Sequence, residues 1–237
     1  MLVKTKGVVL HKTRYSETSI IVKIYTEQLG TRSFIVKNVF SKKNRLHISQ
    51  FAPLSMLELC FDNKNHHSLL FLKEINRYYH FTLIPFDIAR NSILIFYNEL
   101  LYKLLSDAGE DSLLFDFIET EMMKLDMASI NTTDLHLKFM VNLSKILGFF
   151  PQNNFSDKQC YFSIEEAQFV RYNTANEAII SKEASEFLHL IMSGKEEVIP
   201  PKIIRNELLI ALIAYFQIHN EQIKKIESIE ILAEVLN

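Results

Sequence analysis

VKTKGVVLHKTRYSETSIIVKIYTEQLGTRSFIVKNV, residues 3–39, decides the fold. Three runs rich in Val, Ile and Thr, at 6–11, 18–25 and 31–39, are separated by polar joints. Such residues suit a pleated, half-buried surface, so three β-strands are predicted. The second joint, Glu27-Gln28-Leu29-Gly30, ends in a glycine that can close a hairpin at positive φ. Lys and Arg recur beside the apolar positions, so the strands carry a basic outer surface.

The pattern continues outward. Residues 40–50 form a polar, basic loop, and Pro53 precedes a fourth strand at 54–61, where Leu57 and Leu59 alternate with Glu58 and Cys60. The turn formers Asp62-Asn63-Lys64-Asn65 lead to a fifth strand at 68–76. Five short strands with a longer break after the third fit a Greek-key barrel of OB type, residues 1–80. Periodicity alone also accommodates a small SH3-like barrel.

From Tyr78 onward the period changes. Helices are predicted at 86–105, 112–125, 133–147, 182–192, 202–219 and 228–235. Asp111 and Ser181 stand at N-cap positions, Asn131 with Asp134 resembles a capping box, Pro201 suits a first helical position, and Gly194 lies just past the fourth helix. The fifth helix is apolar on nearly every side and is expected to run through the centre of a bundle. Residues 161–172 suggest an irregular hairpin. The fold class is therefore α+β with two domains, an OB-fold barrel at 1–80 and an all-helical domain at 81–237.

The overall charge of −2 hides an asymmetry. Residues 1–50 hold ten Lys/Arg against Glu17 and Glu27, a surplus of eight, so the remainder carries a deficit of ten. A basic module joined to an acidic one is the electrostatic footprint of a nucleic-acid binder. The alternative is that surplus lysine only protects strand edges. With 48% hydrophobic residues and five Gly, the chain reads as a folded soluble protein. The start shows no signal-peptide pattern, no apolar window is long enough to cross a bilayer, and the two cysteines are far apart. A cytoplasmic protein is expected.

No phosphate-binding loop, dinucleotide fingerprint, zinc-protease motif or nucleophile elbow occurs, so no enzyme and no cofactor is predicted. His66-His67 lack further ligands at metal spacing and read as a solvated turn. Cys60 reads as a small buried residue, and Glu119, Glu121 and Asp126 as solvated helix charges. The interleaved cations and rings are more informative. Cations for phosphates and rings for bases are what a single-strand groove needs. The candidates are Lys6, Lys12, Arg14, Tyr15, Arg32, Lys37, Phe40, Lys42, Lys43 and Arg45. Tyr25 and Phe34 alternate with core residues and are expected to be buried.

The order Gly7-Val8-Val9-Leu10, Tyr15-Ser16-Glu17-Thr18, Thr26 with Gly30, Val36-Lys37, Ser41-Lys42-Lys43 and Gln50-Phe51-Ala52-Pro53 resembles the RecO family of bacterial recombination mediators. Gly148-Phe149-Phe150-Pro151 and the ending Lys225-Ile226-Glu227-Ser228-Ile229-Glu230-Ile231-Leu232 extend the resemblance over nearly the whole chain. It implies an OB-fold followed by a helical domain. It also implies binding of single- and double-stranded DNA, strand annealing, and RecA loading onto DNA coated by single-strand-binding protein, with RecR as partner. Two departures stand out. Many members carry a four-cysteine zinc module where residues 151–172 retain only Cys160, so this insert is expected to be zinc-free. The usual Lys-Gly after the third strand is Lys37-Asn38, and Asn also tolerates left-handed angles.

The acidic helical domain is expected to dock proteins. Arg90, Lys103, Lys138, Lys202 and Arg205 are cations on apolar helices that could rim a groove for a short acidic peptide, and the RecO resemblance implies the acidic C-terminal tail of single-strand-binding protein as that peptide. Two rival classes are an RNA-binding OB protein and a helical adaptor whose barrel docks on an acidic protein.

Overall fold

The computed structural model describes residues 2–40, 47–62, 69–172, 178–195 and 199–236. The chain divides into two compact units, Met1–Ala128 and Ser129–Asn237.

The first unit is built on strands β1 (Leu2–Arg14), β2 (Ile20–Thr26), β3 (Gly30–Val36), β4 (Met56–Asp62) and β5 (Leu69–Arg77). They close into a barrel in the order β1-β2-β3-β5-β4. Only the β3–β5 pair is parallel, so the topology is the five-stranded Greek key that the alternation predicted. β1 is longer than its apolar centre suggested because it serves two neighbours. Leu2–Val8 pair with β4 and Gly7–Arg14 with β2, with a bulge between Val9 and His11. Val9, Val22, Ile24, Phe34, Leu57, Leu59, Phe61 and Leu72 fill the interior. Tyr25 and Phe34 are buried as expected, and so is Cys60.

A 3-10 turn at Ile84–Phe86 leads into α1 (Ile88–Leu105), and α2 (Ser112–Leu125) follows. The Asp111 carboxylate accepts from the Leu114 N–H at 3.0 Å, so the expected cap is present. The loop between the helices lies against the barrel. The Thr31 N–H donates to the Ala108 carbonyl at 2.9 Å, and its hydroxyl donates to the Leu105 carbonyl. Gly30 has φ +66°, and a Cβ there would sit 2.3 Å from the Ala108 carbonyl oxygen. Glycine is thus required both for the turn and for the close approach of the helical loop. Asn38 takes φ 57°, so asparagine makes the left-handed bend after β3.

The acidic residues of α2 differ from the solvated reading. Asp126 is buried just past the helix. Its carboxylate accepts from the N–H groups of Thr82, Leu83 and Ile84 at 2.8, 2.9 and 3.0 Å and from the Thr82 hydroxyl at 3.0 Å. These donors belong to the turn that starts α1, which explains why the chain places an acid where a helix dipole disfavours it. Burial works to raise the Asp126 pKa, but the Thr82, Ile84 and Leu83 donors outweigh it and the net shift is downward. Glu121 is buried as well, 3.8 Å from Lys124, and Glu119 pairs with a barrel lysine.

The second unit contains α3 (Leu135–Ile146), the hairpin β6 (Tyr161–Ser163) and β7 (Gln168–Val170), α4 (Lys182–Met192), α5 (Lys202–His219) and α6 (Ser228–Val235). The capping box expected at Asn131 and Asp134 does not form. Asp134 instead pairs with Lys138 at 3.2 Å, and Asn131 accepts from the Thr133 N–H at 2.9 Å. Ser181 caps α4 by accepting from the Ala184 N–H. α5 is not surrounded on all sides. Leu208, Leu212, Tyr215 and Phe216 are buried, while Ile203, Ile210 and Ile218 are exposed along another face. At the hairpin Phe169 meets Phe155 and Phe162 edge-on, each with ring centroids 5.3 Å away, and Asn154 brackets the Phe169 backbone at 2.8 and 3.0 Å. Among the described residues, no three His, Cys, Asp or Glu side chains group as a metal site would require.

Candidate nucleic-acid interface

The outer surface of the barrel has a covered half and an open half. The covered half lies under α1 and α2. There Lys6 contacts Glu119 at 3.0 Å and lies over the Tyr78 ring. A hydrogen bond from its ammonium to Glu119 raises its pKa, so it stays charged but neutralised. Lys23 donates to the Ser106 carbonyl at 3.0 Å, and His11 stacks on Tyr102. Tyr25 packs on Phe115 and donates to the Asp111 carbonyl at 3.2 Å; burial first, then the Asp111 charge, pushes its pKa up to about 12. A cleft of about 300 Å³ lined by Lys4, Lys6, Glu27, Glu58, Cys60 and Glu74 is too rich in carboxylates to attract phosphate.

The open half lies toward the far end of β1. Arg14 is eight residues beyond Lys6 on that strand, about 26 Å at the rise of an extended chain. It pairs in register with Ile20, which pairs with Val36, the neighbour of Lys37. The Arg14 guanidinium stands 5.6 Å from the centre of the Phe40 ring, and the Lys37 ammonium 5.0 Å from that of Phe71. Tyr15, Phe40 and Phe71 are 60%, 48% and 54% exposed. Tyr15 begins a tight loop in which the Ser16 hydroxyl accepts from the Thr18 and Ser19 N–H groups, a physical use for the Tyr-Ser-Glu-Thr segment.

Phe71 belongs to an outward-facing row that runs across three strands. Ile21 registers with Ile35, and Ile35 with Phe71, while Val22, Phe34, Leu70 and Leu72 point into the core. The row sets two apolar side chains beside an exposed ring that faces a lysine ammonium. A cation over an exposed ring is worth about 0.5–1 kcal/mol. Stacking of a nucleobase on such a ring is worth about 1–3 kcal/mol.

Of the residues singled out from the sequence, Arg14, Tyr15, Lys37 and Phe40 come together at the open end. Lys12 and Arg32 are exposed on β1 and β3, with Arg32 donating to the Thr31 carbonyl at 2.9 Å. Lys6 lies in the covered half. Lys42, Lys43 and Arg45 lie outside the described residues. Phe71 was missed, although the alternation Leu70-Phe71-Leu72-Lys73 already placed its ring on the face opposite the core.

The cations assigned to protein docking are spread over both units. Arg90 is buried rather than at a rim; it contacts Asp87 at 3.3 Å and donates to the Leu125 carbonyl, so its role is to hold the start of α1 to the end of α2. Lys103 pairs with Glu99 and Lys138 with Asp134, both at 3.2 Å. Arg205 donates to the carbonyls of Pro200 and Leu236 at 2.9 Å. Lys202 is exposed beside Ile203.

These features define an OB-barrel protein with a cationic, ring-bearing outer face joined to a helical region. Residues 1–79 match the family model described as Recombination protein O N terminal, and residues 85–226 match Recombination protein O C terminal. DNA repair protein RecO of Phocaeicola vulgatus is 31% identical over 241 residues, covering all of both chains. The proteins of that name from Bacteroides fragilis and Flavobacterium johnsoniae are 31% and 30% identical, again over the full length of both chains. The chain belongs to the RecO family of DNA repair and recombination proteins, which are mediators and not enzymes. No helix in the described residues is long and apolar enough to cross a membrane.

Proposed function

We propose that this chain is a DNA-binding mediator of recombinational repair, with residues 1–80 as its DNA-binding domain. The observation that carries the reading is the meeting of Arg14 and Lys37 with exposed rings at one end of the barrel, in a chain of this family. Lys12 and Arg32, with Lys42, Lys43 and Arg45, extend the basic character for single- and double-stranded DNA. Binding two complementary strands on such a surface lowers their mutual repulsion, so the protein promotes annealing and helps load RecA onto strands coated by single-strand-binding protein. RecR is the expected partner. The helical domain, residues 81–237, docks proteins; the exposed face of α5, with Lys202 at its start beside Ile203 and Ile210, suits the acidic tail of single-strand-binding protein. A cytoplasmic, nucleoid-associated location follows from these partners. The test is annealing of complementary oligonucleotides at low salt, with matched RNA as competitor. Accelerated annealing that DNA competes away better than RNA is the expected result. Preference for RNA favours an RNA-binding protein, and no binding to either favours a protein adaptor.

A further inference from the structure

We propose that Phe71 forms a stacking subsite for an unpaired nucleobase and makes the open end of the barrel selective for single-stranded DNA. The inference rests on the DNA-binding reading and adds a residue and a discrimination to it. Phe71 presents a half-exposed ring on the outer surface of β5, while Leu70 and Leu72 on either side are buried in the core. Its strand pairing sets it against Ile35, which is buried on that outer face, and Ile35 is flanked in turn by Ile21. The ring thus stands beside apolar neighbours on the adjoining strands. Lys37 holds its ammonium 5.0 Å from the ring centre, where a phosphate adjoining a stacked base would come within reach.

The geometry separates the two forms of DNA. In a duplex each base is stacked inside the helix and offers only its edges to the grooves, so a flat ring on a protein surface finds no free face. A single strand can lay a base on it regardless of sequence, because every base has a π-face. Phosphate attraction from Lys37 and Arg14 serves both forms. Phe71 therefore acts on single strands alone, whereas Lys37 acts on both.

The test compares wild-type full-length protein with the Phe71→Leu and Lys37→Ala variants on a mixed-sequence oligonucleotide and on its blunt duplex, by fluorescence anisotropy at fixed salt. Phe71→Leu keeps an apolar side chain beside Ile35 but removes the ring, and Phe71→Trp restores a stacking face. The expected result is a five- to hundredfold loss of single-strand affinity in Phe71→Leu. Duplex affinity should stay within about twofold of wild type, and Phe71→Trp should recover single-strand binding. Lys37→Ala should weaken both forms. Equal single-strand binding by Phe71→Leu and wild type, or parallel loss on both forms, overturns the subsite while leaving the DNA-binding reading intact. Failure of the wild-type protein to bind either form overturns both.

Discussion

Asp126→Ala should be among the most destabilising single changes in the first unit. The carboxylate collects three backbone N–H groups and a hydroxyl from residues 82–84. Thr82 is exposed, so water can replace the acceptor there at little cost. Ile84 is buried and Leu83 partly buried, and their N–H groups would be left without an acceptor. An unsatisfied buried donor costs about 1–3 kcal/mol, so the substitution should cost about 3 kcal/mol in all. Asp126→Asn should cost about half as much, since it keeps one acceptor oxygen and turns an NH₂ toward the remaining donors. The assay is urea denaturation of the full chain followed by circular dichroism, with exposed Asp116→Ala as control. Because the folded pKa is lowered, this stabilisation is present above the unfolded carboxyl range near 4 and is lost as pH falls through the folded value. Asp126→Ala within about 0.5 kcal/mol of wild type at pH 7, a change ordinary for a surface site, would refute the reasoning.

Lys6→Ala should leave DNA affinity and its salt dependence unchanged, because Glu119 already neutralises that ammonium; the stability cost should be below about 1 kcal/mol. His136 is buried with its Nδ1 unpartnered, and burial first, then the Arg205 charge, pushes its pKa down to about 3. Between about pH 6.5 and pH 3 the unfolded chain therefore holds a proton that the folded protein refuses, and stability is lost as pH falls, by up to about 1.4 kcal/mol per unit. His136→Leu should remove that part of the slope, about 2 kcal/mol between pH 6.5 and pH 5 in urea denaturation; an unchanged slope would contradict it. Phe169→Ala should cost about 3–5 kcal/mol. A chelator should leave wild-type stability unaltered, whereas stoichiometric zinc lost together with stability would show that a metal, not the Phe155–Phe162–Phe169 cluster, holds the insert.

The parts of the fold that depend on local pattern were legible in the sequence. Strand alternation located all five barrel strands, and four helices begin and end where periodicity put them, two of them, α2 and α4, because Asp111 and Ser181 act on N–H groups three residues away. What escaped depends on partners distant in the chain. The reach of β1 comes from β4, some fifty residues on; Asp126 answers donors over forty residues earlier; and Lys6 meets Glu119 across 113 positions. α5 looked apolar all round because composition does not reveal which face a neighbour covers. The candidate interface was half legible. Arg14, Lys37, Tyr15 and Phe40 could be picked from their interleaving, but grouping them at one end and setting Lys6 apart needed the strand register. Phe71 lay outside the basic stretch and was overlooked there, although its alternation was readable.

On the proposed reading, the cations at the open end of the barrel hold DNA. Single-strand affinity measured across a salt series for wild type and for the Arg14→Ala/Lys37→Ala double variant tests it most directly. Each lost phosphate contact removes about 0.7 from the log–log slope for single strands, so the double variant should show a slope shallower by about 1.4 with folding unimpaired. An unchanged slope in a folded double variant would contradict the claim and place the DNA elsewhere on the molecule.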